Sequence, residues 1–378
     1  MSKIDKRPQK QTFFPAEIYY SPVSKLVQLG ISVDHSILFP KEYPYTSSTT
    51  KVLRDNFHEL SEEVFEKFKI QKSDLVIDIG SNDGNLLSNF KNKTRILGIT
   101  PEDIGKIAIE KGIDTILDYF TPDLSKIIVS KYGLAKIITA TNVFAHIDNV
   151  DETLNSIYNL LQDDGIFISE SHYLLTLVEE NQYDTIYHEH LRYYSLSSLN
   201  YLFNKHNMEI IFAKKILTHG GSIRVYAAKK NRFKIEDDYL DLIDYENNNL
   251  FSKRLFNFNK QVIESKLKLY NLLNNIKAND SKIYGISAPS RATTLINYLG
   301  IGTDIMDCIL EIEGSKKIGH YLPGTDIPIL NEEKLYKDQP DYAFILSWHI
   351  TEELINILRK KGFKGKFIIP LPQPKILD

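Results

Sequence analysis

The run from Gln182 to Ser195, with Tyr183-Asp184-Thr185-Ile186-Tyr187-His188-Glu189-His190 at its heart, is the densest in titratable and aromatic side chains. Three kinds of chemistry fit it. An imidazole oriented by a carboxylate titrates near neutral pH and suits removal of a proton next to a carbonyl. His188, Glu189, His190 and the distant His172 are also metal-ligand types. However, neighbouring residues on a strand point to opposite faces, and H-E-H is not the helical H-E-x-x-H spacing. The third reading is a core histidine whose hydrogen bonds are satisfied within the fold.

A second stretch, Leu75-Val76-Ile77-Asp78-Ile79-Gly80-Ser81-Asn82-Asp83-Gly84, carries binding rather than acid–base signals. Its almost wholly apolar start suits a strand buried on both faces of a parallel sheet. Gly80 and Gly84 can take backbone angles closed to other residues, and Asn85 to Phe90 opens a helix whose free N–H groups face the turn. Such a turn cradles a nucleotide-type ligand. A dinucleotide fingerprint needs glycines at three slots, and here those slots hold Gly80, Asn82 and Asn85, so the NAD reading fits poorly. Asp78 in the strand and the polar turn suit a cationic amino-acid ligand better than a pyrophosphate. A buried strand and glycine turn with no ligand is the plain alternative.

These residues need elements to hold them. Apolar residues at helical spacing from Val52 to Phe68 predict a helix leading into the first strand. Strand-like runs follow at Arg95 to Ile99, Thr115 to Leu117, Ala135 to Ala140 and Gly165 to Glu170. In open α/β sheets ligands bind outside the carboxyl ends of strands, so Asp78, Gly80, Ser81, Asn82, Asp83, Gly84, Thr100, Phe120, Asn142, His146 and His172 should share one crevice. Glu102 is the nearest carboxylate after the second strand, where a ribose diol would be met. His219-Gly220-Gly221 then turns into a strand carrying Arg224, and both His219 and Arg224 are candidate substrate contacts. From Tyr239 to Ile276 the chain reads as one long helix or a helix pair. Beyond it, Lys282 to Arg291 begins a second strand–turn–helix unit, with Met306 to Leu310, Tyr342 to Leu346 and Lys366 to Ile369 as further strands. Ser290 and Arg291 offer it a hydroxyl and a guanidinium for a phosphate. The fold expected is α/β in three parts: a small lobe over 1–56, a ligand-binding domain over 57–232, and a helical connector with a second α/β domain over 233–378.

Bulk properties narrow the function. With 378 residues, several domains are expected. A hydrophobic fraction of 42% and a charged fraction of 25% fit a soluble globular protein, and a net charge of −3 argues against a nucleic-acid surface. Met1 to Pro15 lacks an apolar leader core and no long apolar run follows, so a cytoplasmic protein without membrane contact is expected. The single cysteine, Cys308, excludes an internal disulfide and a cysteine-rich zinc site.

The turn D-I-G-S-N-D-G looks like motif I of class I S-adenosylmethionine (SAM) methyltransferases. The whole chain resembles the sugar C-methyltransferases, which methylate C3 of a nucleotide-linked 4-keto-deoxysugar. Five motifs carry the resemblance: Tyr43-Pro44-Tyr45-Thr46-Ser47-Ser48-Thr49, Asp78 to Gly84, Asn142 to His146, Tyr183 to His190, and Gly314 to Pro328 (G-S-K-K-I-G-H-Y-L-P-G-T-D-I-P). It implies an N-terminal zinc lobe, a central SAM-binding Rossmann-like domain and a C-terminal α/β domain that helps hold the sugar nucleotide. By the same resemblance, His190 is the base that takes the C3 proton, with Tyr187 and Glu189 beside it. His146 and a tyrosine of the Tyr43–Tyr45 loop would lie near the keto sugar. Two departures stand out. Ser21 and Ser24 occupy the family's C-x-x-C, so no zinc is expected, and Thr100 stands where many relatives have a glutamate for the ribose. The resemblance leaves two rivals open: O- or N-methylation of a sugar nucleotide, and binding without catalysis.

Overall fold

In the computed structural model the chain is described over residues 1–6, 11–38 and 51–378. The tyrosine and hydroxyl loop, with Tyr43 and Tyr45, lies outside these residues. The described chain forms two compact units, one of Glu17–Leu174 with His188–Asn249, the other of Met1–Ala16, Leu175–Tyr187 and Leu250–Asp378.

The first unit opens with strands β1 (Ile18–Tyr20) and β2 (Val27–Leu29) and a short helix α1 (His35–Leu38). Helix α2 (Lys51–Phe68) forms where the sequence spaces apolar residues for one face, and it buries Leu53, Phe57, Leu60 and Val64. These pack with Val76, Leu86, Leu87, Phe90 and Ile137 in one apolar cluster. Each such side chain contributes about 1.5–3 kcal/mol on leaving water. The alternation continues through β3 (Leu75–Ile79), α3 (Asn85–Ser88), β4 (Arg95–Ile99), α4 (Gly105–Glu110), β5 (Thr115–Ile116), α5 (Pro122–Tyr132), β6 (Ala135–Thr141), α6 (Val150–Leu160) and β7 (Leu161–His172). Local chemistry sets the helix starts. Thr121 accepts the Leu124 N–H ahead of Pro122, and Asn149 accepts the Glu152 N–H, each relieving an orphan donor of the first turn.

Helix α7 (Leu174–Glu179) carries the chain out of this unit, and β8 (Arg192–Tyr193), α8 (Leu196–Lys205), β9 (Met208–Ile216), β10 (Ser222–Lys229) and α9 (Asp237–Asn249) complete it. The main sheet has the order β5-β4-β3-β6-β7-β10-β9. Strands β3 to β7 are parallel, and β10 pairs antiparallel with both β7 and β9. The carboxyl ends of β3, β4, β5, β6 and β7 therefore share one edge. Helix α9 is pinned by Glu246, whose carboxylate accepts from the Tyr173 hydroxyl and from the Leu196 and Ser197 N–H groups that open α8.

The long helical region splits. A single π-helical turn over Leu250–Arg254 separates α9 from α10 (Leu255–Lys277), so of the two readings the pair is the one that forms. The second unit then continues with β11 (Ile283–Ile286), α11 (Ser290–Leu299), β12 (Cys308–Glu311), β13 (Ile329–Asn331), α12 (Glu333–Asp338), β14 (Tyr342–Ile345), α13 (Thr351–Lys360), β15 (Lys366–Ile369) and β16 (Lys375–Leu377). Its sheet runs β13-β12-β11-β14-β15-β16, parallel except for β16. The α/β class and the second α/β sheet read from the sequence are the architecture found. Among the described residues no helix is long and apolar enough to cross a membrane.

Candidate active site

The glycine turn after β3 is tied to the neighbouring strand: the N–H groups of Gly80 and Ser81 both bond the Ile99 carbonyl, at 2.8 and 3.0 Å. Gly80 has φ 76°, and a Cβ there would stand 2.2 Å from Val143 Cγ2. Only glycine fits that turn beside the segment after β6. In the turn and at the first residue of α3, the Ser81 Oγ and Asn85 Nδ2 are buried without a hydrogen-bond partner among the described residues. Asp83 is buried and paired with Lys111 at 3.1 Å, which fixes the outer side of the turn. Asp78 lies within the sheet, and its carboxylate accepts from Thr139 of β6 at 2.6 Å. Burial pushes that carboxyl up to about 7.

After β4, the Thr100 hydroxyl donates to Glu102 at 2.5 Å. Threonine thus stands at the strand end and holds the carboxylate two residues on. Asn142, after β6, has φ 56° and gives its N–H to the Glu170 carbonyl at 2.8 Å. Phe120 follows β5 and is half-buried.

The histidines come from two segments fastened side by side. Leu191 N–H bonds the Ala145 carbonyl at 3.0 Å, and the Arg192 guanidinium reaches the carbonyls of Ile147 and Asp148. Across that seam the His146 and His190 ring centroids are 5.0 Å apart, and His146 Nδ1 bonds the Glu189 carbonyl. A carbonyl only accepts, so Nδ1 carries a proton. His188 to His190 lie in a turn, not on a strand, so the face-alternation expected for H-E-H does not apply. Among the described residues no group of three or more His, Cys, Asp or Glu side chains is placed to hold a metal ion. His172 ends β7 in register with Ser222, next to the turn of His219, Gly220 and Gly221, where all three residues have positive φ.

Other expected residues lie elsewhere. Arg224 is fully buried against Glu170 at 2.6 Å, with Asn56 and Glu63 as further partners. That network spends the guanidinium inside the fold, so we assign Arg224 a structural position and not an open ligand contact. Tyr187 closes the Leu175–Tyr187 segment of the other unit, which also holds Ser290 and Arg291. Sequence reasoning missed Thr139, Lys111 and Glu170, which support the site. The one available signal was a carboxylate, Glu170, and a guanidinium, Arg224, in largely apolar parts of two strands, and the two are indeed cross-strand partners.

Comparison with known proteins places these features. The methyltransferase domain family matches residues 45–212, and the C-methyltransferase C-terminal domain family matches residues 217–372. The chain is 29% identical to the C-methyltransferase NovU of Streptomyces niveus, over 97% of this chain and 89% of that protein. Similar solved structures include a SAM-dependent methyltransferase from Clostridium acetobutylicum, at 12% identity, with 51% of this chain and 95% of that chain covered and a TM-score of 0.37. Magnesium protoporphyrin IX methyltransferase from Synechocystis, with bound SAH, is similar at 11% identity over 47% of this chain and 83% of that chain, with a TM-score of 0.37. The turn fits SAM, since Gly80 and Gly84 leave the cradle free of side chains and Ser81 and Asn85 bring buried polar atoms to it. The chain is a SAM-dependent methyltransferase, similar to C-methyltransferases along both of its matched segments.

Proposed function

We propose that this enzyme methylates C3 of a nucleotide-linked 4-keto-deoxyhexose, with His190 as the general base. The observation that supports this most is the pairing of His190 with His146 at 5.0 Å at the carboxyl edge that also carries the glycine turn. A C3–H beside a C4 ketone is acidified. The His190 imidazole takes the proton, the C–H electron pair moves into the enolate, and the C4 oxygen takes up the charge. SAM, when bound, supplies an electrophilic methyl group on a sulfonium and leaves as a neutral thioether. Asp78, through Thr139, and Asp83, through Lys111, keep the turn in shape, and Glu102 is the acceptor we assign to the ribose diol. Tyr187, Glu189 and Tyr45 keep the roles that the family resemblance gives them, beside the base and near the keto sugar. We place the reaction in the cytoplasm, where sugar nucleotides and SAM are both at hand.

The test is incubation with SAM and a panel of nucleotide-linked 4-keto sugars, read by mass spectrometry, with solvent deuterium exchange followed in parallel. A gain of one methyl group on carbon, with deuterium entering C3 in a His190-dependent way, is the expected result. Methyl transfer to oxygen or nitrogen without exchange would overturn the enolate route.

A further inference from the structure

The second unit carries an arrangement that the reading above leaves unused. In its sheet the strand order reverses between β11 and β14, and ligands of open α/β sheets bind outside the carboxyl ends at such a reversal. There Ser287, which follows β11, meets Ser347, which follows β14, hydroxyl to hydroxyl at 2.6 Å. Glu311, at the end of β12, accepts the Ala288 N–H at 2.7 Å and lies 3.7 Å from Lys317, so its carboxylate is not offered to a ribose.

Beside this edge stands Trp348, the one tryptophan in the sequence. Its indole N–H donates to Asp184 at 2.7 Å, and the Arg291 guanidinium carbon is 5.4 Å from the centre of its ring. Asp184 is fully buried and Arg291 is 8% exposed. The segment that carries Asp184 is fastened to the helix that carries Arg291. Thr294 donates to the Ile186 carbonyl at 3.0 Å, and the Tyr183 and Tyr298 rings are 5.4 Å apart. Three distant parts of the chain thus converge on one indole. Among the described residues the other Asp184 oxygen has no hydrogen-bond partner, while the Arg291 charge opposes the rise that burial gives the carboxyl. A buried, half-satisfied carboxylate is costly, and an apolar residue would serve packing better. The indole face steadies the guanidinium, whose planar fork of donors matches a phosphate.

We propose that Asp184 is a positioning residue for the substrate: it fixes Trp348, and through it Arg291, so that the guanidinium can take the diphosphate of the sugar nucleotide. This rests on the sugar-nucleotide reading given above.

Because Trp348 is the sole indole, its emission reports on this arrangement directly. The full-length protein is titrated with UDP and with dTDP, following emission and binding heat, and with SAM as a separate control. One of the two nucleotides should bind the wild type and change the emission. Asp184→Asn should weaken that binding roughly tenfold and blunt the emission change, with SAM affinity untouched. Trp348→Phe, which keeps the ring and loses the donor, should show the same loss by calorimetry, and it carries the test should Asp184→Asn fail to fold. Nucleotide affinity unchanged in a variant that still binds SAM would overturn the positioning role and leave the sugar-nucleotide reading standing. Absence of UDP and dTDP binding to the wild type would overturn both.

Discussion

His146 and His190 lie with ring centroids 5.0 Å apart and planes tilted by 53°, and the Glu189 carbonyl accepts a hydrogen bond from His146 Nδ1. Holding the proton on Nδ1 sets the tautomer and the plane of the ring. His190→Asn should therefore lower methyl transfer by about a hundredfold or more, the usual contribution of a positioned base. SAM binding measured by calorimetry should be retained. His146→Asn should lower turnover less, and turnover unchanged in both variants would remove the histidine pair from the chemistry.

The Thr100–Glu102 contact at 2.5 Å carries a separate prediction for the cofactor. Thr100 is fully buried and cannot itself replace a carboxylate, and the acceptor proposed for a ribose diol is therefore Glu102. Glu102→Gln should weaken SAM binding roughly tenfold, since a charge-assisted bond becomes a neutral one. Thr100→Val should weaken it less, by freeing the carboxylate to wander. Comparing SAM with an analogue that lacks the ribose hydroxyls checks the assignment: the wild type should discriminate between them, and Glu102→Gln should not.

Much of this was legible in the sequence because the chemistry is local. The β3 turn, its glycines and the run Tyr183 to His190 each declare themselves within ten residues or so. The seam that joins Ala145–Asp148 to Leu191–Arg192 does not, because its acceptors are all backbone carbonyls, which leave no mark on residue type. Arg224 illustrates the same limit. Sited after a glycine turn it reads as a ligand contact, and only the cross-strand register shows that Glu170 claims it. The strand expected at Met306 begins instead at Cys308, since Met306 is buried ahead of the first ladder pair.

The Arg224–Glu170 pair has no side-chain exposure on either partner. Burial pushes the Glu170 carboxyl up, and Arg224 pulls it back. Removing one charge strands the other, so Arg224→Met alone should cost about 3–5 kcal/mol in chemical denaturation. Arg224→Met combined with Glu170→Leu should recover most of that loss. A double variant no better than the single one would show that Asn56 and Glu63, not Glu170, hold the guanidinium.

Asp78 sets a pH dependence for the first unit. Its carboxyl is lifted from 3.8 to about 7, chiefly by burial, with Glu170 adding to the rise and the Thr139 hydroxyl opposing it. The folded-state value lies above the unfolded one, so the folded state is favoured while the carboxyl is protonated. This contribution is complete below about pH 4 and is lost as pH rises to about 7. The window spans roughly three pH units, for a ceiling of about 4 kcal/mol. Asp78→Asn keeps the size and removes the titration, so the stability difference between variant and wild type should move steadily in the variant's favour from pH 4 to pH 7 and stay level above. Thermal unfolding of both proteins across that range measures it. A difference that does not vary with pH would mean that Asp78 stays ionised in the fold, held by more than the single hydroxyl of Thr139.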